Sequence, residues 1–211
     1  MPFGDVPWSE YMRRLGFYLP HKAWKHFVLG SLLAVSTLLG MLIGSLLTGR
    51  YQLDWSTVSL SQFVFSINPG IWEEFFYRGV IMFVLLRATK SLKRAAAIQI
   101  VLFGLAHIKG FEAGWWVDVS TVMILAVAFT YAAYKTRALV TGMVFHFLHD
   151  AFLFLPQVPG VELVGTLEYV AFFGSLWVMV GVALILIKYS SDSLGVKAEE
   201  ELYRLEGVPY A

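Results

Sequence analysis

The stretch Trp72-Glu73-Glu74-Phe75-Phe76-Tyr77-Arg78-Gly79 decides how the chain is read. Two adjacent carboxylates and an arginine sit inside an otherwise apolar run from Ile71 to Leu86. A charge at the centre of a membrane-spanning helix costs about 2.5–3.5 kcal/mol on insertion scales, so it persists where it pairs or lines a wet cavity. Helical spacing treats the two acids differently. Glu74 and Arg78 stand at i and i+4, share a face and pair. Glu73 is turned by about 100° from Glu74, away from Arg78. Glu74 therefore takes a structural task, and Glu73 is left for chemistry. The plainer alternative is a pair of interfacial glutamates at a helix start, where the dipole favours acid.

Working outward, the whole chain has the composition of a membrane protein. Of its 211 residues, 58% are hydrophobic and 15% charged, with a mean hydropathy of +0.67, against about 25% charged in soluble domains. A net charge of +1 and the lack of a basic run with interleaved aromatics give no reason to expect nucleic acid as a partner. Without cysteine, disulfides, thiolate chemistry and cysteine zinc sites are excluded. The start of the chain does not read as a signal peptide, because Arg13 and Arg14 precede an apolar run too long for one.

The expected fold class is all-α, a polytopic membrane helix bundle of about six transmembrane helices with a short N-terminal interfacial helix. Residues 8–19 mix aromatics with Glu10, Arg13 and Arg14 and read as that interfacial segment, or else as a solvated leader. Spans long enough to cross a bilayer are expected at about 24–47, 71–88, 95–108, 114–134, 138–155 and 163–187. The short apolar piece 61–67 is expected to end at Asn68-Pro69-Gly70. The organisation is thus an N-terminal cytosolic or interfacial segment 1–23, a bundle 24–188 and a cytosolic tail 189–211 holding Glu199, Glu200, Glu201, Arg204 and Glu206.

Basic residues set an orientation. Arg13, Arg14, Lys22 and Lys25 flank the N-terminus, Arg87, Lys90, Lys93 and Arg94 follow the second span, Lys135 and Arg137 follow the fourth, and Lys188 opens the tail. The alternate loops hold only Arg50 and Lys109. The positive-inside rule then places both termini in the cytosol of a multi-pass cell-membrane protein.

Two further polar motifs lie in predicted spans. The third ends Phe103-Gly104-Leu105-Ala106-His107, and the fifth holds His146-Phe147-Leu148-His149-Asp150. His146 and Asp150 share a helical face, with His149 on its edge. Each histidine alone is most simply a buried, hydrogen-bonded core residue. On the charge-derived orientation, however, Glu73, His107, His146 and Asp150 all fall at similar depth in the outer half. A shared, water-accessible cavity explains that agreement, and intramembrane ionisable groups are functional candidates by default. Asp118 and Glu168 are assigned no function.

Taken together, Glu73-Glu74-x-x-x-Arg78-Gly79, Phe103-x-x-x-His107 and His146-x-x-x-Asp150 resemble the CPBP family of CAAX-protease and bacteriocin-processing intramembrane enzymes, whose best-known members are the type II CAAX prenyl endopeptidases. The resemblance covers about 57–156. Tyr77 stands where that family more often has phenylalanine, and His149 lies outside its motifs. The resemblance implies an intramembrane endopeptidase acting on a membrane-associated peptide or lipidated protein, with membrane lipid as its surroundings; no cofactor is favoured, because the extra acid Asp150 suits hydrogen bonding better than metal ligation. It implies Glu73 as general base, His107 orienting the water, His146 and Asp150 binding the oxyanion with Asp150 fixing the imidazole, and Glu74, Arg78 and Phe103 supporting the site.

Other readings stay open. His107, His146 and Glu73 are a His₂Glu set of the kind that holds catalytic zinc, although the chain lacks His-Glu-x-x-His. Buried acids and histidines also build proton relays, which suits a small proton-coupled transporter, yet no internal repeat is present. A non-catalytic membrane scaffold of the same family is the third alternative.

Overall fold

The computed structural model describes residues 7–47, 55–108, 110–111, 115–136, 138–152 and 166–193. The described secondary structure is entirely helical. Trp8–Arg14 forms α1 and Ala23–Leu47 forms α2. A short 3₁₀ turn at Trp55–Thr57 leads into α3, Leu60–Glu73, capped by the Ser59 side chain accepting from the Gln62 N–H. The chain then winds as a π-helix over Glu74–Ile81 and returns to α-helix in α4, Met82–Thr89. Lys90 adopts the left-handed conformation that ends α4. Leu92–Leu105 is α5, Trp115–Thr136 is α6, Leu139–Phe152 is α7 and Thr166–Ser193 is α8.

Three described helices, Ala23–Gly44, Trp115–Thr136 and Thr166–Ser190, are long and apolar enough to cross a membrane, and they coincide with the first, fourth and sixth expected spans. The other expected spans take different forms. The third falls on α5, which stops at Leu105, short of 108. The fifth falls on α7, which is described to Phe152; residues 153–165 lie outside the described residues. So do the loop positions Arg50, Lys109 and Arg137 and the acidic tail.

The largest departure is at 60–89. Asn68-Pro69-Gly70 does not break the chain: α3 runs through Pro69 and joins the π-helical stretch. Proline removes one backbone donor and crowds the preceding turn, but tertiary packing holds the helix here. Phe63 meets Phe147 and Phe152 edge-on at 6.0 and 5.2 Å. Gln62 donates to the Asp150 carbonyl at 2.9 Å. A Cβ at Gly70 would stand 3.1 Å from the Phe147 backbone, so the missing side chain lets the two helices touch.

Two apolar clusters hold the bundle. The larger one joins α2, α6, α7 and α8 through Leu29, Leu33, Phe129, Phe145, Leu176 and Val180. Buried polar pairs cross-link the same helices: His26 Nδ1 with Thr141 Oγ1 at 2.8 Å, and His149 Nδ1 with Thr37 Oγ1 at 3.0 Å. The Thr37 hydroxyl lies within 3.2 Å of the Leu33 and Ala34 carbonyls. His149, at the edge of the His146 face, is therefore engaged with α2.

The smaller cluster joins Leu15 to Met82, Phe83, Leu86 and Ala95. The end of the leader is thus packed on the bundle through Leu15, while α1 itself has no buried residue. Gly16 turns the chain with a φ of 80°, and its carbonyl accepts the Leu139 N–H at 2.9 Å. This contact gathers α1, the C-terminal half of the 60–89 helix, the start of α5 and the start of α7 at one end of the bundle. Gly79 belongs to this junction, since a Cβ there would stand 3.3 Å from the Leu15 carbonyl.

Candidate active site

The three polar motifs converge. Glu74 is the buried centre: its Oε1 accepts from Arg78 Nη1 at 3.0 Å and from His146 Nδ1 at 2.9 Å. The Glu74 and Arg78 side chains are 0% and 1% exposed. The expected i,i+4 pair is present even though the backbone is π-wound through it. A π-helical turn widens the helix and recurs at functional sites. Nothing in the local spacing announced it.

Glu74 has room because α7 carries Gly142. A Cβ there would come within 2.7 Å of Glu74 Oε2, so any larger residue would push the carboxylate off its two donors. Aromatic rings complete the enclosure. The Arg78 guanidinium carbon lies 4.0 Å from the Phe103 ring centroid and 5.1 Å from that of Phe129. Contacts of this kind are worth about 2 kcal/mol where water is excluded. Phe103 also meets His107 at 4.7 Å and His146 at 6.1 Å, and Tyr77 edge-on at 4.9 Å. One turn away, Thr130 donates to Gln99 Oε1 at 2.7 Å and ties α6 to α5.

The open side of the site holds Glu73, His107 and Asp150, whose side chains are 31%, 28% and 25% exposed, against 5% for His146. Glu73 Oε2 stands 3.7 Å from His107 Nε2 and 3.8 Å from His146 Nε2. Asp150 Oδ2 is 3.5 Å from His146 Nε2. His107 Nδ1 is 2.8 Å from the Phe103 carbonyl. α5 ends at Leu105, and the turn that follows, with the His107 N–H on the Gly104 carbonyl at 3.0 Å, places this ring.

Every site residue anticipated from the motifs therefore lies in one cluster: Glu73, His107, His146 and Asp150 at the mouth, Glu74, Arg78 and Phe103 beneath. One relationship differs from expectation. The carboxylate hydrogen-bonded to His146 is Glu74, and Asp150 faces the opposite ring nitrogen. Phe129 and Gly142 were not anticipated. Phe129 is one apolar residue among many in α6, and Gly142 one glycine in an apolar run, so neither carried a signal.

Among the described residues, no group of three or more His, Asp and Glu side chains is arranged as a metal site; His146 Nδ1 is hydrogen-bonded to Glu74, and its Nε2 faces Glu73 and Asp150.

No curated protein and no solved structure matches the chain. A family model does, over residues 55–152, and its description is Type II CAAX prenyl endopeptidase Rce1-like. That segment contains every residue of the cluster just described. Over residues 55–152 the chain is thus similar to the Rce1-like type II CAAX prenyl endopeptidases, a protease family, and among its described helices three are long and apolar enough to cross a membrane.

Proposed function

We propose that the protein is an intramembrane endopeptidase that cleaves a membrane-associated or lipidated peptide with a water activated by Glu73. The observation that carries this reading is Glu73 Oε2, set 3.7 and 3.8 Å from two imidazole nitrogens, one in the turn after α5 and one on α7. Polar atoms at such separations are bridged well by a water.

Hydrogen bonding assigns the parts. A carbonyl oxygen only accepts, so His107 carries its proton on Nδ1, toward Phe103, and the neutral ring offers a lone pair at Nε2. A water between His107 Nε2 and Glu73 then donates to both and turns its own lone pair toward the substrate carbonyl. As it attacks, its proton passes to Glu73, and the carbonyl π pair moves onto oxygen. Glu74 likewise only accepts, so the proton shared with His146 sits on Nδ1. In its doubly protonated form His146 presents Nε2–H to the developing oxyanion beside Asp150, a placement that lowers the barrier because the donor is already oriented. Collapse re-forms the carbonyl, breaks the C–N bond and returns the Glu73 proton to the leaving amine. The test is mass spectrometry of peptide products from purified protein in lipid, wild type against Glu73→Gln. The same assay separates an enzyme from a peptide-binding scaffold.

This mechanism needs no metal. Cleavage is expected to persist at full rate in excess chelator. Loss of activity that zinc restores would replace the water-on-glutamate scheme with a metal one.

The topology proposed is six spans with both termini in the cytosol. Its support is the end of the bundle where α1 meets α4, α5 and α7: Arg13, Arg14, Arg87, Lys90, Lys93 and Arg94 belong to it. The mouth of the site lies toward the opposite ends of α5 and α7, so the site opens in the outer half. Such an opening favours exported or membrane-tethered peptides over prenylated cytosolic proteins. A cysteine introduced at Phe111, which is exposed, is expected to react with impermeant reagent from outside intact cells; labelling only from the cytosolic side would invert the orientation.

A further inference from the structure

Phe129 has no polar atom and lies in the apolar run of α6, yet the site's charged core rests on it. Its ring stacks on His146 at 4.7 Å with 27° between the planes. The same ring approaches the Arg78 guanidinium. Both of these partners hydrogen-bond to one oxygen of Glu74. Phe129 is 2% exposed, is backed by Phe145 at 4.2 Å, and precedes Thr130, which ties α6 to α5.

From this packing we infer that Phe129 is a positioning residue: it sets the plane of the His146 imidazole and so aims Nε2 at the reacting atoms. The need for it is physical. Histidine χ2 has broad rather than staggered preferences, and a hydrogen bond tolerates a wide range of angles. The Nδ1 contact to Glu74 therefore anchors one edge of the ring and leaves the opposite edge free to swing. Nε2 is on that opposite edge. A flat face pressed against the ring removes the swing, and its π-cloud also favours the doubly protonated form that donates to an oxyanion. An aliphatic side chain of similar volume fills the space and supplies neither effect.

The inference rests on the proposed hydrolysis, so its test has one arm that needs turnover and one that does not. Phe129→Leu, Phe129→Met and Phe129→Tyr are purified in lipid beside wild type, with Phe145→Leu as a control that removes the neighbouring aromatic ring. On one peptide, Leu and Met are expected to lower kcat about 10–100-fold, the scale of a small misplacement. KM stays within about twofold, and Tyr and the Phe145→Leu control stay within about fivefold of wild-type kcat. In ¹⁵N-histidine-labelled protein, the His146 signal, assigned with His146→Gln, is expected to shift or broaden in Leu and Met and to hold its position in Tyr. An unchanged His146 signal in a folded Leu or Met variant overturns the inference whether or not the wild type cleaves peptide. Equal loss of kcat in Tyr and Leu, or failure of both Leu and Met to fold, would make Phe129 a packing residue and also overturn it. Wild-type protein that cleaves nothing while the signals behave as expected would sink the protease proposal alone.

Discussion

Glu73→Gln is expected to cut peptide cleavage by about 10²–10⁴-fold, the range supplied by a positioned general base, with the protein still folded and inserted. The substitution keeps the size of the side chain and removes its ability to take a proton. It also replaces one acceptor with a donor, which disturbs the water held against His107. Glu73 is at the mouth of the site and partly exposed, so removing its charge strands no buried partner. The change in stability should stay within about 0.5 kcal/mol, as for other surface substitutions. Product formation by mass spectrometry and a thermal midpoint in the same lipid check both halves. Wild-type turnover in the variant would take Glu73 out of the mechanism.

Glu74→Ala should fail in a different way, losing stability and activity together. Its carboxylate is the shared acceptor for Arg78 and His146. Without it a buried guanidinium loses that carboxylate at 3.0 Å, and breaking a buried pair from one side costs about 3–5 kcal/mol. That is a large share of the roughly 5–15 kcal/mol that holds a typical domain folded. His146 also loses its anchor, so the variant that does fold should have little activity. Adding Arg78→Met to Glu74→Ala removes the buried guanidinium as well. The double variant should regain much of the thermal stability but not the turnover, because the imidazole still lacks its acceptor. A Glu74→Ala protein that melts like wild type would show that the pair is not a structural prop. Recovery of turnover in the double variant would show that His146 needs no anchor.

The two glutamates are neighbours in the chain with unlike fates, and much of that contrast was legible beforehand. The i,i+4 spacing paired Glu74 with Arg78, and the same geometry turned Glu73 elsewhere. The apolar stretches marked α2, α6 and α8 by length alone. At Pro69 the same local reasoning failed, because Gly70 and Phe63 pack on α7 tightly enough to carry a helix through a proline. Where the leader docks was not legible for a similar reason. Leu15 and Gly16 find their partners on helices that lie far along the chain.

The helical class, the membrane-like composition and the polar residues that gather at the site could all be read from the chain alone. Those follow from period, length and charge, which act over a few residues. The tertiary structure alone decided that His146 Nδ1 is hydrogen-bonded to Glu74, with Asp150 at the other ring nitrogen. It also decided that Gly142 makes room for that carboxylate and that Phe129 lies flat against the imidazole. Glu74 and His146 are separated by 72 positions, and Phe129 sits on a third helix. Their relation is set by which faces of α6, α7 and the π-wound turn come together, a choice made by burial of the whole bundle rather than by any single stretch.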